Sequence, residues 1–151
     1  MQFNVISTQT DIDILMEKFN GFHDSCIKEL KYYSGSYVEE NRCMFPLNSI
    51  RNVSILFQSQ RSEFSAIEMK FEQIHKLNLE PRLDNDDSII YEASLTKISN
   101  IFYWGEWGDL ELEDLDKVHR TWISCERIRW RKLENVLGKK EIYIMNQYKE
   151  H

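Results

Sequence analysis

Phe22-His23-Asp24-Ser25-Cys26 is the densest run of chemically capable side chains in this chain of 151 residues. An imidazole, a carboxylate, a hydroxyl and a thiol so close together invite three readings. A metal site would use His23, Asp24 and Cys26, yet zinc takes three or four protein ligands and no second His or Cys at ligand spacing supplies the rest. A Cys-His nucleophile needs both side chains within hydrogen-bond reach and a third group to orient the base, whereas positions 23 and 26 fall on opposite faces of an extended chain. The third reading is structural: Asp24 or Ser25 bonds loop backbone and His23 orders the junction. A chemical role would instead require a small-ligand or enzymatic pocket formed by His23, Asp24 and Cys26.

The second constellation is Phe102-Tyr103-Trp104-Gly105-Glu106-Trp107-Gly108, followed by acidic residues. Trp and Tyr are over-represented among binding hot spots. Phe102 and Trp104 are expected to divide between core and sheet surface, leaving Trp107 as the exposed contact. Glu106, Asp109, Glu111, Glu113, Asp114 and Asp116 all precede the first basic residue, Lys117. A charge run is ordinarily a solvated face, and Arg120, Arg127, Arg129, Arg131 and Lys132 can neutralise it internally. Set beside Trp107, the residues Asp109, Glu111, Glu113 and Asp114 also form an acidic rim around an aromatic anchor, suited to a basic protein surface.

Other chemistry lacks a signature. His75, His119 and His151 stand alone, without H-E-x-x-H or other metal-ligand spacing, and neither G-x-S-x-G nor a glycine-rich phosphate loop occurs. No metal and no cofactor is therefore expected. Glu68 and Glu92 are scattered carboxylates that a sheet could bring together. The net charge of −6 opposes nucleic acid, because phosphate binding depends on Lys and Arg releasing counterions. Cys26, Cys43 and Cys125 are odd in number and distant, which fits reduced thiols in a cytoplasmic protein rather than a disulfide framework. No export signal and no membrane-length apolar run is legible.

The elements that must position these residues follow from periodicity. Ile12, Leu15, Met16 and Phe19 make one apolar helix stripe, with Thr10 expected as N-cap and Gly21 as stop. Ser25 to Tyr33 reads as a strand whose mixed parity implies a bulge or two covered faces. Gly35 and residues 39–42 read as a turn, and Val53, Ile55 and Phe57 as the next strand. Ile67, Met69 and Phe71 alternate with Glu68, Lys70 and Glu72 as a half-buried strand. After a loop at 83–88, Ile89, Tyr91, Ala93 and Leu95 alternate, and a hairpin through Thr96 to Asn100 leads into Ile98 to Trp104. The acidic segment can hold a short helical turn, and Thr121 to Lys132 reads as a strand with both faces partly covered. Residues 141–148 fit strand or helix. Apolar residues at 42% and charged residues at 29% suffice for a packed core in one domain spanning 1–151. The expected class is α+β, an N-terminal helix packed on a mainly antiparallel sheet of about six strands.

The helix closing on Phe19 to Gly21, the Phe22-His23-Asp24-Ser25-x-Ile27 turn and the Trp122-Ile123 to Trp130-Arg131 strand resemble small bacterial domains similar to polymorphic-toxin immunity proteins. The resemblance implies a small cytoplasmic binder without catalytic residues and a protein partner, in that setting a basic toxin. The expected function is non-enzymatic binding of a protein; the pocket at His23, Asp24 and Cys26 is the alternative. The partner's identity and the oligomeric state stay open.

Overall fold

Ile12, Leu15 and Phe19 are buried and Met16 packs against them, as the spacing of the stripe requires. Ile12, Leu15 and Met16 belong to α1 (Gln9–Lys18), and Phe19 is its C-cap, in a computed structural model that describes residues 2–147. The cap is Thr8, not Thr10, which lies inside the first turn. Thr8 Oγ1 accepts from Asp11 N at 3.3 Å, and the Asp11 carboxylate accepts from Ser7 N and Thr8 N, both at 2.9 Å. A capping box needs an acidic acceptor three residues after the hydroxyl, and Asp11 stands at that distance from Thr8. These donated bonds hold the Asp11 carboxyl below the usual carboxylate range.

Past Phe19 the backbone turns left-handed, with φ of +53° at Asn20, +59° at Gly21 and +64° at Phe22. Such residues cost about 1 to 2 kcal/mol each when they carry a Cβ. Burial offsets the cost. The Phe22 ring is fully enclosed and meets Phe19 and Phe57 edge-on at 5.0 Å and Trp104 at 5.7 Å.

The strands are β1 (Asn4–Ile6), β2 (Ser25–Tyr33), β3 (Tyr37–Val38), β4 (Met44–Phe45), β5 (Asn52–Ser59), β6 (Ala66–Asn78), β7 (Ser94–Ile98), β8 (Ile101–Gly105) and β9 (Trp122–Lys132). β3 and β4 form a separate ribbon; the other seven make one antiparallel sheet in the order β2-β5-β6-β9-β8-β7. β8 pairs only with residues 122–125 of β9, and β1 takes the stretch 128–130 that β8 leaves open. The chain is thus an α+β fold, with the expected bulge in β2 between Ile27 and Glu29. The hairpin between β7 and β8 turns on Ser99 and Asn100 at φ +50° and +66°, the left-handed pair that matches strand twist.

One strand expectation needs correction. Regular pairing after the loop begins only at Ser94: Ile89 and Tyr91 are exposed, and Ile90 is buried. Backbone bonds from Ile90 N to Ser25 O, Asp24 N to Ile90 O and Ala93 N to Gly21 O tie this segment to the left-handed turn, so its parity is set there and not by a neighbouring strand. On β9 both faces are covered in part, as expected, since Trp122, Ile123, Ser124 and Cys125 are all buried, and most apolar residues of the two parities serve one core. Ile128 and Trp130 share it with Ile67, Met69 and Phe71, and farther along Ile123 and Cys125 share it with Ile74. Gln73, at φ +54°, and a register shift between Ile74 and Lys76 mark the switch. Trp122 alone joins a second, smaller cluster, with Leu110 and Leu115.

The outer face is more covered than alternation implied. Glu68 is buried and accepts from Arg131 Nε at 3.0 Å, while Glu72 accepts from Arg129 Nε at 2.6 Å. α2 (Ile142–Gln147) resolves the ambiguous tail as helix, and the Glu29 carboxylate receives its Ile142 and Tyr143 N–H groups at 2.9 to 3.0 Å. Burial and the Glu68 charge push the Tyr143 phenol up. His151 and the end of the tail, 148–151, lie outside the described residues. No helix among the described residues is long and apolar enough to cross a membrane.

Candidate functional site

The two long loops of the sheet, 79–93 and 106–121, leave the same end of the molecule and share their roots. Thr121 knots them together. Its N–H donates to Glu106 Oε1 at 3.1 Å, its carbonyl accepts from Glu106 N at 3.1 Å, and its hydroxyl accepts from Glu80 N at 3.0 Å. Arg82 Nη2 reaches the same Glu106 Oε1 at 3.0 Å, and Asn78 Nδ2 donates to Arg120 O at 2.7 Å. Farther out, the Glu92 carboxylate approaches Gly108 closely, 2.5 Å from where a Cβ would stand.

The net negative charge of these loops exceeds that of the whole chain. Five carboxylates and one arginine leave −4 on 79–93; six carboxylates, one lysine and one arginine leave −4 on 106–121. The chain totals −6, so the remaining residues net +2. Asp84, Asp86, Asp87, Asp109, Glu111, Glu113, Asp114 and Asp116 are exposed.

Trp107 stands at the root of the second loop, but not as a free contact. It is half-buried and packs against the cluster of Leu110, Leu115 and Trp122. Gly105 permits this, because a Cβ there would lie 2.7 Å from the Trp107 ring. The flanking glycine thus marks a folded-back ring, the opposite of a displayed one. Ser94 Oγ pins the bend, donating to Trp107 O at 2.7 Å and accepting from Leu110 N at 3.3 Å. Phe102 and Trp104 do not divide between core and surface: both are buried, since residues two apart on a strand face the same side. Glu106 also leaves the expected acidic rim, being buried beneath it.

Between the loop roots lies an open cavity of about 280 Å³. Ile27, Leu79, Pro81 and Ile90 form its apolar walls; Glu80, Arg82, Ser88, Glu106 and Thr121 supply polar groups. Periodicity could not find it, because Arg82 and Glu106 are 24 residues apart and look like ordinary surface charges. The local signal was slight: a lone arginine in an acidic loop and a glutamate beside a glycine-bounded aromatic run.

His23, Asp24 and Cys26 are not among those walls. Ser25 Oγ donates to Phe22 O at 2.6 Å, and His23 Nδ1 meets Tyr91 O at 2.7 Å, both fastening the junction. Asp24 faces Arg61 Nε at 3.4 Å and His23 Nε2 at 3.7 Å. Cys26 sits on β2 opposite Gln58, and burial pushes its thiol up, away from nucleophilic use. Glu68 and Glu92 do not meet: the first pairs with Arg131 and the second lies on Gly108. Among the described residues, no three His, Cys, Asp or Glu side chains are grouped to hold a metal ion.

The ribbon of β3 and β4 is a further exposed feature, with Tyr37 stacked on Phe45 at 4.9 Å and Val38 and Met44 exposed. Charges of both signs, Glu39, Glu40 and Arg42, occupy its tip. No protein-family model matches the chain, and neither does any curated protein or solved structure.

Proposed function

We propose that this chain is a non-enzymatic protein-binding domain that meets a basic protein through the acidic end formed by loops 79–93 and 106–121. The observation that carries the reading is the segregation of charge: −8 on two loops joined at their roots, against +2 on everything else. A field so polarised steers a cationic surface towards one end of the molecule and orients it before contact. Asp109, Glu111, Glu113 and Asp114 are the forward charges of that surface, and Trp107 acts as the foot that holds their loop rather than as the anchor. The resemblance to immunity-type domains favours the same class of partner, with a basic toxin as the object of inhibition. A pocket formed by His23, Asp24 and Cys26 has no comparable support, since these groups fasten backbone or neighbouring charge.

The test is capture from the source cells with two baits, the parent and a variant carrying Asp109→Asn, Glu111→Gln, Glu113→Gln and Asp114→Asn. Circular dichroism checks that both baits are folded. The expected result is a discrete basic protein held by the parent, lost by the variant, and released in roughly 1 M salt, where screening acts within about 3 Å. Identical capture by both baits would contradict the reading.

A further inference from the structure

We infer that the cavity between the loop roots is a socket for a single cationic side chain, lysine or arginine, of the partner protein; this rests on the acidic-surface reading and names its central contact. Glu106 is the reason. Only 8% of it is exposed, yet it lines an open cavity. Both hydrogen bonds that its carboxylate receives converge on one oxygen: Arg82 Nη2 and Thr121 N each donate to Oε1, and Oε2 accepts none among the described residues. Oε2 therefore has no protein donor among them and meets the solvent of the cavity, where an entering cationic N–H replaces water with a charge-assisted bond.

The charge of the lining selects the sign of the ligand. Glu80 and Glu106 against Arg82 leave the lining at −1, and the flanking loops are strongly acidic. Arg82 gives Nη2 to Glu106, and the net negative lining disfavours an anionic ligand. Two carboxylates and an arginine do not make a hard-metal site either, since such ions require several oxygen ligands. Size narrows the class further. A volume of about 280 Å³ lies at the floor of the range for small-molecule sites, too small for a nucleotide but fitted to the head and stem of one long side chain. The apolar walls Ile27, Leu79, Pro81 and Ile90 suit the methylenes of such a side chain, while the charged head reaches Oε2.

The probe is n-propylguanidinium, titrated into the ¹⁵N-labelled chain at low salt, with neutral n-propylurea as its isostere. Expected are saturable amide shifts at Arg82, Ile90, Glu106 and Thr121, with n-propylurea binding at least about tenfold more weakly, the margin of a charge-assisted hydrogen bond. Glu106→Gln should weaken the cation by a similar factor. Ser88→Phe, which plugs the exposed rim and leaves the carboxylate intact, should abolish the saturable shifts even if the first variant folds poorly. Linear shifts spread over the acidic loops, or equal binding of cation and urea, would overturn the socket. That failure is distinct from failure of the surface: a partner lost on neutralising Asp109, Glu111, Glu113 and Asp114 would still stand without a socket.

Discussion

At the scale of single residues, burial and pairing assign roles that residue type alone does not. Cys125 is enclosed on β9, and burial pushes its thiol up to about 12; Cys26 is raised in the same sense, and Cys43 is exposed. A disulfide-exchange reagent near pH 8 should therefore titrate Cys43 rapidly, Cys26 slowly and Cys125 only in denaturant, because the thiolate is the reacting species. Three equally fast thiols would contradict the packing of β9. The same shift carries a sign for stability. With the unfolded thiol ionising near 9.0 and the folded one near 12, its contribution is full below pH 9 and is lost as pH rises through that window. Denaturant midpoints measured from pH 8 to 11 should fall, and fall less in Cys125→Val. The arginines divide in the same way. Arg82 pairs with buried Glu106, so Arg82→Ala should cost about 3 kcal/mol, whereas Arg61→Ala, beside Asp24 at a guanidinium 72% exposed, should cost less than about 1 kcal/mol. Equal denaturation midpoints for the two variants would contradict the burial of Glu106.

At the scale of elements, the left-handed turn after α1 is the most demanding local structure. Gly21, at φ +59°, has open space where a Cβ would go, so Gly21→Ala tests conformation without collision. It should destabilise by about 1 kcal/mol, and an unchanged urea midpoint would show that the turn relaxes at no cost. Elements with a clean period were legible from residues alone: α1 through Ile12, Leu15 and Phe19, and β6 through Ile67, Met69 and Phe71. The capping residue was misread because Thr8 and Asp11 have the same spacing as Thr10 and Asp13, and only the folded helix shows that the first pair closes the box. β1 escaped because three residues carry no period, and its existence depends on β9 having an open stretch opposite it. On β9 the partial covering of both faces was legible, while the single core behind most of its apolar residues was not. Two covered faces and one core reached in two parities give the same string of apolar residues, and only Gln73 and the register shift on the neighbouring strand separate them.

At the scale of the whole molecule, the acidic run at 106–116 was visible as composition, while its meaning depended on a loop elsewhere in the chain. Residues 79–93 look like an unrelated acidic connection until Thr121, Arg82 and Glu106 join the two roots. Trp107 was misread as displayed, because its contacts with Leu110, Leu115 and Trp122 are made by folding back over Gly105. The central claim is that segregated charge on these loops drives encounter with a basic protein. Its most direct measurement is the association rate constant with the captured partner, by stopped flow, as ionic strength is raised past physiological values, where the screening length is about 8 Å. For the parent, the rate should fall steeply with salt; for the variant neutralised at Asp109, Glu111, Glu113 and Asp114, it should start at least about tenfold lower and change little, with dissociation nearly unaltered. A parent rate indifferent to salt, or a folded variant that associates as fast as the parent at low salt, would contradict the account.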